Sequence, residues 1–445
     1  MSAKKRILNI LFWSVISAAF IGPGTITTAA RSGSAYGTDL LWALLFSTAA
    51  CLVLQEAASR ISIITGKNLG QSIAGYFGTR SSGTPVLILV LGAILVGTAA
   101  YEMGNLMGAV AGLQLVFDIP AWILVLATGV SAAILLSIPS LKKVSTILGI
   151  LVVIMGISFL LTAIMVRPSF TNIVRGTFIP SFPGPEAGML VLALIGTTIV
   201  PYNLFLGSGL SSSGQSLKEM RFGLGTAIIL GGIFSMAVLI VGSAVDGIFS
   251  FDSLAAVLET GIGPAGKYLL GFGLFAAGFT SAVTAPLAAA ITLRSLFGQP
   301  YPEKWKAGSW RFRSGWLSVL LAGVIFASLN FRPVPAIIIA QALNGFLLPF
   351  ISIFLFIIIR KSIQKRSLPV RISSFLMLAV IFITLIIGLN SAVKAVINLV
   401  SEGSPVTMPV QIIIVCFSLA LVVMVGLAGR QMYNNQDNNN RMKNA

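Results

Sequence analysis

The sequence predicts an all-α integral membrane protein of about twelve transmembrane helices, two of them broken at matching places. Three observations predict it. Of 445 residues, 56% are hydrophobic and only 9% charged, and the mean hydropathy is +0.97, which leaves too little polar surface to cover a water-solvated globule. Apolar stretches long enough for a bilayer core of ~30 Å recur along the whole chain. Two of these stretches are interrupted, at Ile21-Gly-Pro-Gly-Thr25 and Ile199-Val-Pro-Tyr-Asn203.

The apolar stretches fall at roughly 8–30, 38–64, 84–113, 120–139, 144–165, 187–210, 222–246, 263–297, 314–331, 335–359, 372–393 and 408–428. The opening Met-Ser-Ala-Lys-Lys-Arg and its apolar run lack a small-residue cleavage site, so the run reads as a retained first span and not a secretory leader. The polar loops are short, the longest at about 167–186 and 294–313. A single transmembrane domain over 1–445 follows, with a first repeat at about 8–165, a second at about 187–359, two peripheral helices at about 372–428 and a disordered, Asn-rich tail at 429–445.

Charge orients this arrangement. With both termini cytoplasmic, only Arg31, Arg167, Arg175, Lys267, Arg332 and Lys394 of the 29 Lys and Arg residues lie outside, as the positive-inside rule requires. The net charge of +17 is therefore a topology signal, and the expected location is the plasma membrane. Nothing in the chain interleaves basic patches with aromatics for nucleic acid. Cys51 and Cys416 lie in apolar spans and there is no His, so disulfides and the usual zinc, iron and copper constellations are not expected. No nucleophile–base pair or phosphate loop is present, and an enzyme is not expected.

The breaks carry the functional reading. Pro removes a backbone donor and flanking Gly lets the chain unwind, which strands N–H and C=O groups where lipid supplies no partner. Paired broken spans in two repeats are the mark of a secondary transporter with its site near the bilayer midplane.

The residues around them resemble the NRAMP family of metal transporters. Gly22-Pro-Gly-Thr25 is followed after fourteen residues by Leu40-Leu-Trp42, then by Leu54-Gln-Glu-Ala-Ala-Ser-Arg60 and Ile64-Thr-Gly-Lys-Asn68. In that family a first-span Asp-Pro-Gly-Asn precedes Leu-Leu-Trp, Ala-Arg and Val-Thr-Gly-Lys at the same distances. Gly196-Thr-Thr-Ile-Val-Pro-Tyr-Asn-Leu-Phe-Leu206 is similar to the sixth-span Gly-Ala-Thr-Val-Met-Pro-His-Asn-Leu-Tyr-Leu. Glu102 falls at a third-span Glu, and Ala340-Gln-Ala-Leu-Asn-Gly-Phe-Leu-Leu-Pro-Phe350 is similar to the tenth-span Ser-Gln … Leu-Pro-Phe. The resemblance implies the LeuT fold, with five-plus-five inverted repeats and alternating access.

The chain departs from the family at the metal ligands. Gly22 and Thr25 stand where the resemblance implies a metal-binding Asp and Asn, and Val200 and Tyr202 where it implies Met and His; Ala99 and Gly207 replace an Asp and a His of the proton route. None of the usual family ligands is present. A divalent ion at the bilayer centre needs carboxylate charge or several hard oxygens, and transition metals favour softer ligands besides. The expected substrate is a small non-metal solute, amino-acid-like, or a hard cation held by neutral oxygens. The alternatives are a proton-coupled carrier of Mn2+, Fe2+ or Mg2+ with an altered site, and a non-transporting sensor or scaffold.

Candidate substrate-binding residues are Gly22, Gly24, Thr25, Thr28, Val200, Tyr202, Asn203 and Gln341, with Thr27 beside them; the Gly-rich break also presents amide N–H groups that would suit a carboxylate. Glu102 is the candidate for coupling or gating, since an intramembrane acid is functional by default. Glu56 lies one turn from Arg60 and reads as a structural pair. Ser281 and Thr284, with Thr280, are a possible ion site, although such hydroxyls also bond their own helix. Asn344, one turn from Gln341, lines the path or joins two helices. Arg31 reaches the outer surface or makes the outer vestibule attractive to anions. No cofactor is expected. The coupling ion would be H+ or Na+, and the partners are the substrate and the lipid bilayer, with no second subunit.

Overall fold

A computed structural model describes residues 21–78, 83–138, 142–211, 216–298, 301–329, 331–362, 368–400 and 406–444. The first half of span one and the basic residues before it lie outside these. Every described element is helical: α1 (Pro23–Tyr36), α2 (Leu41–Thr65), α3 (Leu69–Phe77), α4 (Gly83–Gln114), α5 (Ala121–Ser137), α6 (Lys142–Val166), α7 (Phe170–Phe178), α8 (Ala187–Thr198), α9 (Pro201–Leu210), α10 (Leu217–Gly242), α11 (Phe251–Ile262), α12 (Ala265–Phe297), α13 (Trp310–Ala327), α14 (Pro333–Ser362), α15 (Leu368–Val400) and α16 (Met408–Asn444). Among the described residues eight stretches, counting Ala187–Gly209 as one, are long and apolar enough to cross a membrane, and Ala121–Ser137 and Val152–Val166 are shorter apolar helices.

Local chemistry sets the ends. Pro23 and Pro201 occupy first-turn positions, where a missing N–H costs nothing, so each proline starts a helix after the break. Gly66 closes α2 at φ 68°, a left-handed cap that a side chain would strain. Asn68 and Gln71 form a reciprocal capping box at the start of α3. Helices α3, α7 and α11 occupy stretches that the sequence reads as loops. Helix α16 continues to Asn444, across the residues read as a disordered tail: once past the apolar span, the helix simply goes on into the polar sequence.

Span six is the centre of the bundle. In Ala187–Gly209, 94% of the apolar window is buried, against 22% in Met408–Gln431, so the broken segment is enclosed by protein while α16 faces lipid. Irregular backbone at membrane depth is tolerated only under such enclosure. Small residues permit the close crossings. A Cβ on Gly242 would overlap Ala30 of α1, and one on Gly345 would overlap the Leu192 carbonyl of α8, a mode of packing that replaces hydrophobic drive in lipid. The largest helix–helix packing joins α4 to α12, followed by α14 to α8, and these four helices surround the two breaks.

At one end of the bundle the pair expected from sequence forms: Arg60 Nε lies 3.3 Å from Glu56 Oε2. Arg221 Nη2 of α10 joins it at 2.7 Å from Glu56 Oε1, and Arg60 Nη2 donates to Ser373 Oγ at 2.9 Å. Glu56 thus ties α2 to α10, and Arg60 ties α2 to α15.

Candidate functional site

The first break presents its backbone to α4 and α12. Gly22 is extended (φ −108°, ψ −180°) and caps α1, its carbonyl accepting from the N–H groups of Thr25 at 3.1 Å and Ile26 at 3.3 Å. A Cβ built on Gly22 would stand 3.2 Å from Ser281 Oγ, 3.4 Å from the Tyr101 hydroxyl oxygen and 3.8 Å from Asn105 Oδ1. Three side-chain oxygens from two helices therefore converge where Gly22 lacks a side chain. Asn105 Nδ2 donates to Glu102 Oε2 over a long 3.4 Å, which brings the carboxyl within one residue of the cluster. Among the described acids Glu102 alone is fully buried.

This cluster is rich in polar atoms without a protein partner. Ser281 Oγ, Asn105 Oδ1, Glu102 Oε1 and both amide atoms of Gln341 are buried and make no hydrogen bond. So are Thr27 Oγ1, Thr28 Oγ1 and both amide atoms of Asn203. Buried polar groups are satisfied in the great majority of cases, and each exception costs on the order of 1–3 kcal/mol. A concentration of exceptions around an unwound turn marks a place built to engage something other than the protein.

The second break has a different lining. Ile199 ends α8 and Val200 caps α9 at φ −76°, ψ 125°, with the Asn203 N–H returning to the Val200 carbonyl at 3.0 Å. Val200, Ile199 and Tyr202 are buried, and the Tyr202 ring meets Tyr101 edge to face at 5.6 Å. One hydrogen bond links the two breaks directly: Thr25 Oγ1 and Thr197 Oγ1 are 2.9 Å apart. A Cβ on Gly24 would overlap the Gln341 amide, so α1 and α14 are also in close contact here.

The structure thus brings together Gly22, Gly24, Thr25, Tyr202, Gln341, Ser281 and, through Asn105, Glu102. Val200 and Asn203 sit at the second break, and Thr28 is buried further along α1. Thr284 meets Ser281 only at its backbone carbonyl, at 3.4 Å. Its hydroxyl donates to the Thr280 carbonyl at 3.1 Å, and Thr280 donates to Ala276 at 2.6 Å, so these two bond their own helix. Asn344 Nδ2 donates to the Gly97 carbonyl of α4 at 3.3 Å and to Ala340 at 3.2 Å, which makes it a joint between helices. Arg31 pairs with Glu186 at 3.1 Å. Sequence reasoning missed Tyr101, Asn105 and Thr197. Tyr101-Glu102-x-x-Asn105 was the available signal, since i and i+3 share a helix face. It also missed Gly323, whose absent side chain makes room for the Glu102 stem.

The donor set is oxygen and amide: hydroxyls, carboxamides and one carboxyl, with no thioether or imidazole. Among the described residues no group of three or more His, Cys, Asp or Glu could hold a metal ion. Such a set suits a small, hard, positively charged centre and lacks the softer ligands that favour transition metals.

Comparison with known proteins agrees with the architecture. Residues 14–394 match the family described as Nramp, natural resistance-associated macrophage protein-like. The divalent metal cation transporter MntH of Caldanaerobacter subterraneus is 25% identical over 390 residues, 82% of this chain and 89% of that one. The metal transporter Nramp3 of Oryza sativa is 31% identical over 198 residues, so the matched part spans 44% of this chain and only 35% of the plant protein. The crystal structure of the Eremococcus coleocola manganese transporter superposes with a TM-score of 0.72 at 17% identity, covering 96% of both chains. That of MhsT in complex with L-phenylalanine gives 0.58 at 14% identity, over 86% of this chain and 98% of the other. With breaks, neighbours and sequence in agreement, the chain belongs to the Nramp family of membrane transporters and has the LeuT fold.

Proposed function

We propose that this protein is a secondary transporter working by alternating access, and that its substrate presents a small positively charged centre to the oxygens beside Gly22. That centre is either a hard cation or the ammonium group of an amino-acid-like solute. The observation that carries the reading is the convergence of Ser281 Oγ, Tyr101 hydroxyl and Asn105 Oδ1 within 4 Å of the Gly22 Cβ position, with partnerless buried atoms on Ser281, Asn105, Glu102 and Gln341. Neutral oxygens replace the hydration shell of the incoming charge, and Glu102 is the acid nearest to them. Substrate-contacting roles go to Gly22, Gly24, Thr25, Tyr202 and Gln341, with Val200, Asn203 and Thr28 lining the adjoining turns. Glu102 carries the coupling proton or gates the path; Ser281 belongs to the substrate cluster, and Thr284 is left out of an ion site. The protein acts as a monomer in the plasma membrane, with both termini cytoplasmic.

A second reading is proton-coupled divalent metal transport, as the names of the MntH relatives and the manganese transporter suggest. In its favour is the buried Glu102; against it stand Gly22, Val200 and Tyr202, which offer neither the carboxylate, the thioether nor the imidazole. Uptake into proteoliposomes tests both. Mn2+, Mg2+ and the twenty amino acids are offered with and without proton or sodium gradients. The proposal expects saturable uptake of an amino acid or of Mg2+ with Mn2+ excluded. Mn2+ uptake abolished by Glu102→Gln would establish the second reading in its place. A complete lack of uptake, and of any thermal shift with the panel, would point to a sensor or scaffold.

A further inference from the structure

Helix α7 joins the end of span five to the second broken span, and its sides differ in chemistry. Phe170, Val174 and Phe178, spaced i, i+4 and i+8, share one stripe and are 79%, 39% and 70% exposed. Asn172 and Arg175, also exposed, supply a polar side. A third side is fastened to the protein. A Cβ on Gly176 would overlap the Thr38 carbonyl, and the Asn172 carbonyl accepts from Thr38 Oγ1 at 3.2 Å. The fold therefore holds α7 in place and leaves its apolar stripe uncovered.

The chain enters α7 abruptly. Helix α6 ends at Val166, and Arg167 takes φ 49°, a left-handed conformation uncommon for a residue with a side chain. Pro168 follows and cannot continue the helix. Helix α7 is thus a new element and not an extension of the span.

Between α6 and α10, beside α7, lies an apolar groove of about 390 Å3. Its lining includes Leu160 and Ile164 of α6, Ile173 of α7, and Ile233, Ala237 and Ile240 of α10, with Arg167 as its one charged residue. Ile164 also belongs to a stripe on span five with Ile157 and Leu161, all exposed, which in a membrane is a lipid-facing side. The groove thus connects the lipid-facing side of span five to α7. The same stretch of α10 also clasps α1, where a Cβ on Gly33 would overlap the Leu239 carbonyl.

An apolar stripe with a polar side, on a short helix at the end of a span, is the pattern of a helix lying in the membrane interface. A helix of nine residues, about 13 Å long, is too small for the roughly 800 Å2 per partner of a stable protein interface. We infer that α7 lies in the plane of the bilayer interface with Phe170, Val174 and Phe178 among the acyl chains, and that one acyl chain of a phospholipid occupies the groove between α6 and α10. Residues of three helices line that groove, so a chain there is held on several sides, whereas an ordinary lipid neighbour meets one helix face. The walls are almost all hydrocarbon and select for a chain, not for a headgroup.

The position of α7 is tested with nitroxide labels on the full chain in phospholipid vesicles. In a Cys416→Ser background, which removes the exposed native thiol, Val174→Cys and Asn172→Cys are labelled separately. Collisions with O2, which concentrates in lipid, should prevail over those with a water-soluble nickel chelate at Val174, at a depth of about 5–10 Å. The order should reverse at Asn172. Prevalence of the chelate at both positions would place α7 in water and overturn the inference. So would shielding of Val174 from both reagents with dipolar broadening between labels, since a second copy would then cover the stripe.

The groove is tested by native mass spectrometry of protein purified with palmitoyl-oleoyl phosphatidylglycerol and then stripped with detergent. The unaltered protein should retain a phospholipid. Ala237→Phe fills the groove from α10 and Ile164→Trp fills it from α6, and each should lose one retained lipid. Ala237 is buried, but Ile164 is 72% exposed, so Ile164→Trp keeps its unfolding midpoint and decides the matter if Ala237→Phe does not fold. Retention unchanged in Ile164→Trp, or no lipid retained by the unaltered protein, overturns the groove as a lipid site.

Discussion

The two breaks are made by the same covalent device and finish in different surroundings. Each is an extended residue followed by a proline in the first turn of a new helix. Around Gly22 gather hydroxyl, carboxamide and carboxyl groups, with partnerless atoms on Ser281, Asn105 and Glu102. Around Val200 the side chains are Ile199, Val200 itself and the Tyr202 ring against Tyr101, with the Asn203 amide as the polar exception. An unwound turn supplies a few backbone groups in either case; the neighbouring helices decide whether it becomes polar. Here α4 and α12 bring their polar side chains to the first break, while the second break adds an apolar and aromatic face beside its own Asn203 amide.

Two glycines that both approach Gln341 sharpen this comparison. Gly196, of the second broken span, lies against the Gln341 backbone carbonyl, whereas Gly24, of the first, lies against its side-chain amide. Gly196→Ala must push α8 from α14, and it should destabilise the protein by about 3 kcal/mol, as overpacking of a rigid contact does. A lowered midpoint of thermal unfolding in detergent is the measurement. Gly24→Ala need only displace the end of a flexible side chain, so the midpoint should barely move while uptake falls about tenfold, a factor equal to about 1.4 kcal/mol. Equal stability losses in the two variants would show that the first break is merely packed like the second.

Charge offers the next contrast. Glu102→Gln keeps the Asn105 contact in shape but removes the one acid that is fully buried among the described residues, and uptake should lose its dependence on an imposed proton gradient about tenfold while the fold is retained. Uptake that still follows the gradient would take coupling away from the first break. The smallest effect is expected from the bond between the breaks. Thr197→Val removes the hydroxyl partner of Thr25 and should cost about 1 kcal/mol, read as a modest fall in the unfolding midpoint. No change would mean that the two broken spans are held together by packing alone.

Much of this architecture could be read in advance. Gly22-Pro23 and Val200-Pro201 announce their breaks because proline permits few backbone alternatives. Glu56 and Arg60 announce their pair because four residues is one helical turn. Arg221 could not be foreseen beside them, since it arrives from α10, and α11 was hidden in a loop whose Ser250-x-x-Ser253 box is a modest signal. Ser281 and Thr284 looked equivalent in sequence; burial separated them, with Ser281 against Gly22 and Thr284 bonded to its own helix. Asn344 and Gln341 shared a face, yet one joins α14 to α4 and the other lies against Gly24.

What the amino-acid order alone determined is the membrane as solvent, the spans that cross it and the two places where they break, because hydropathy and proline act within a few residues. What only the tertiary structure decided is which polar atoms those breaks face. The oxygens of Ser281, Tyr101 and Asn105 come from helices far apart in the chain, and they meet beside Gly22 because glycine leaves α4 and α12 room to approach.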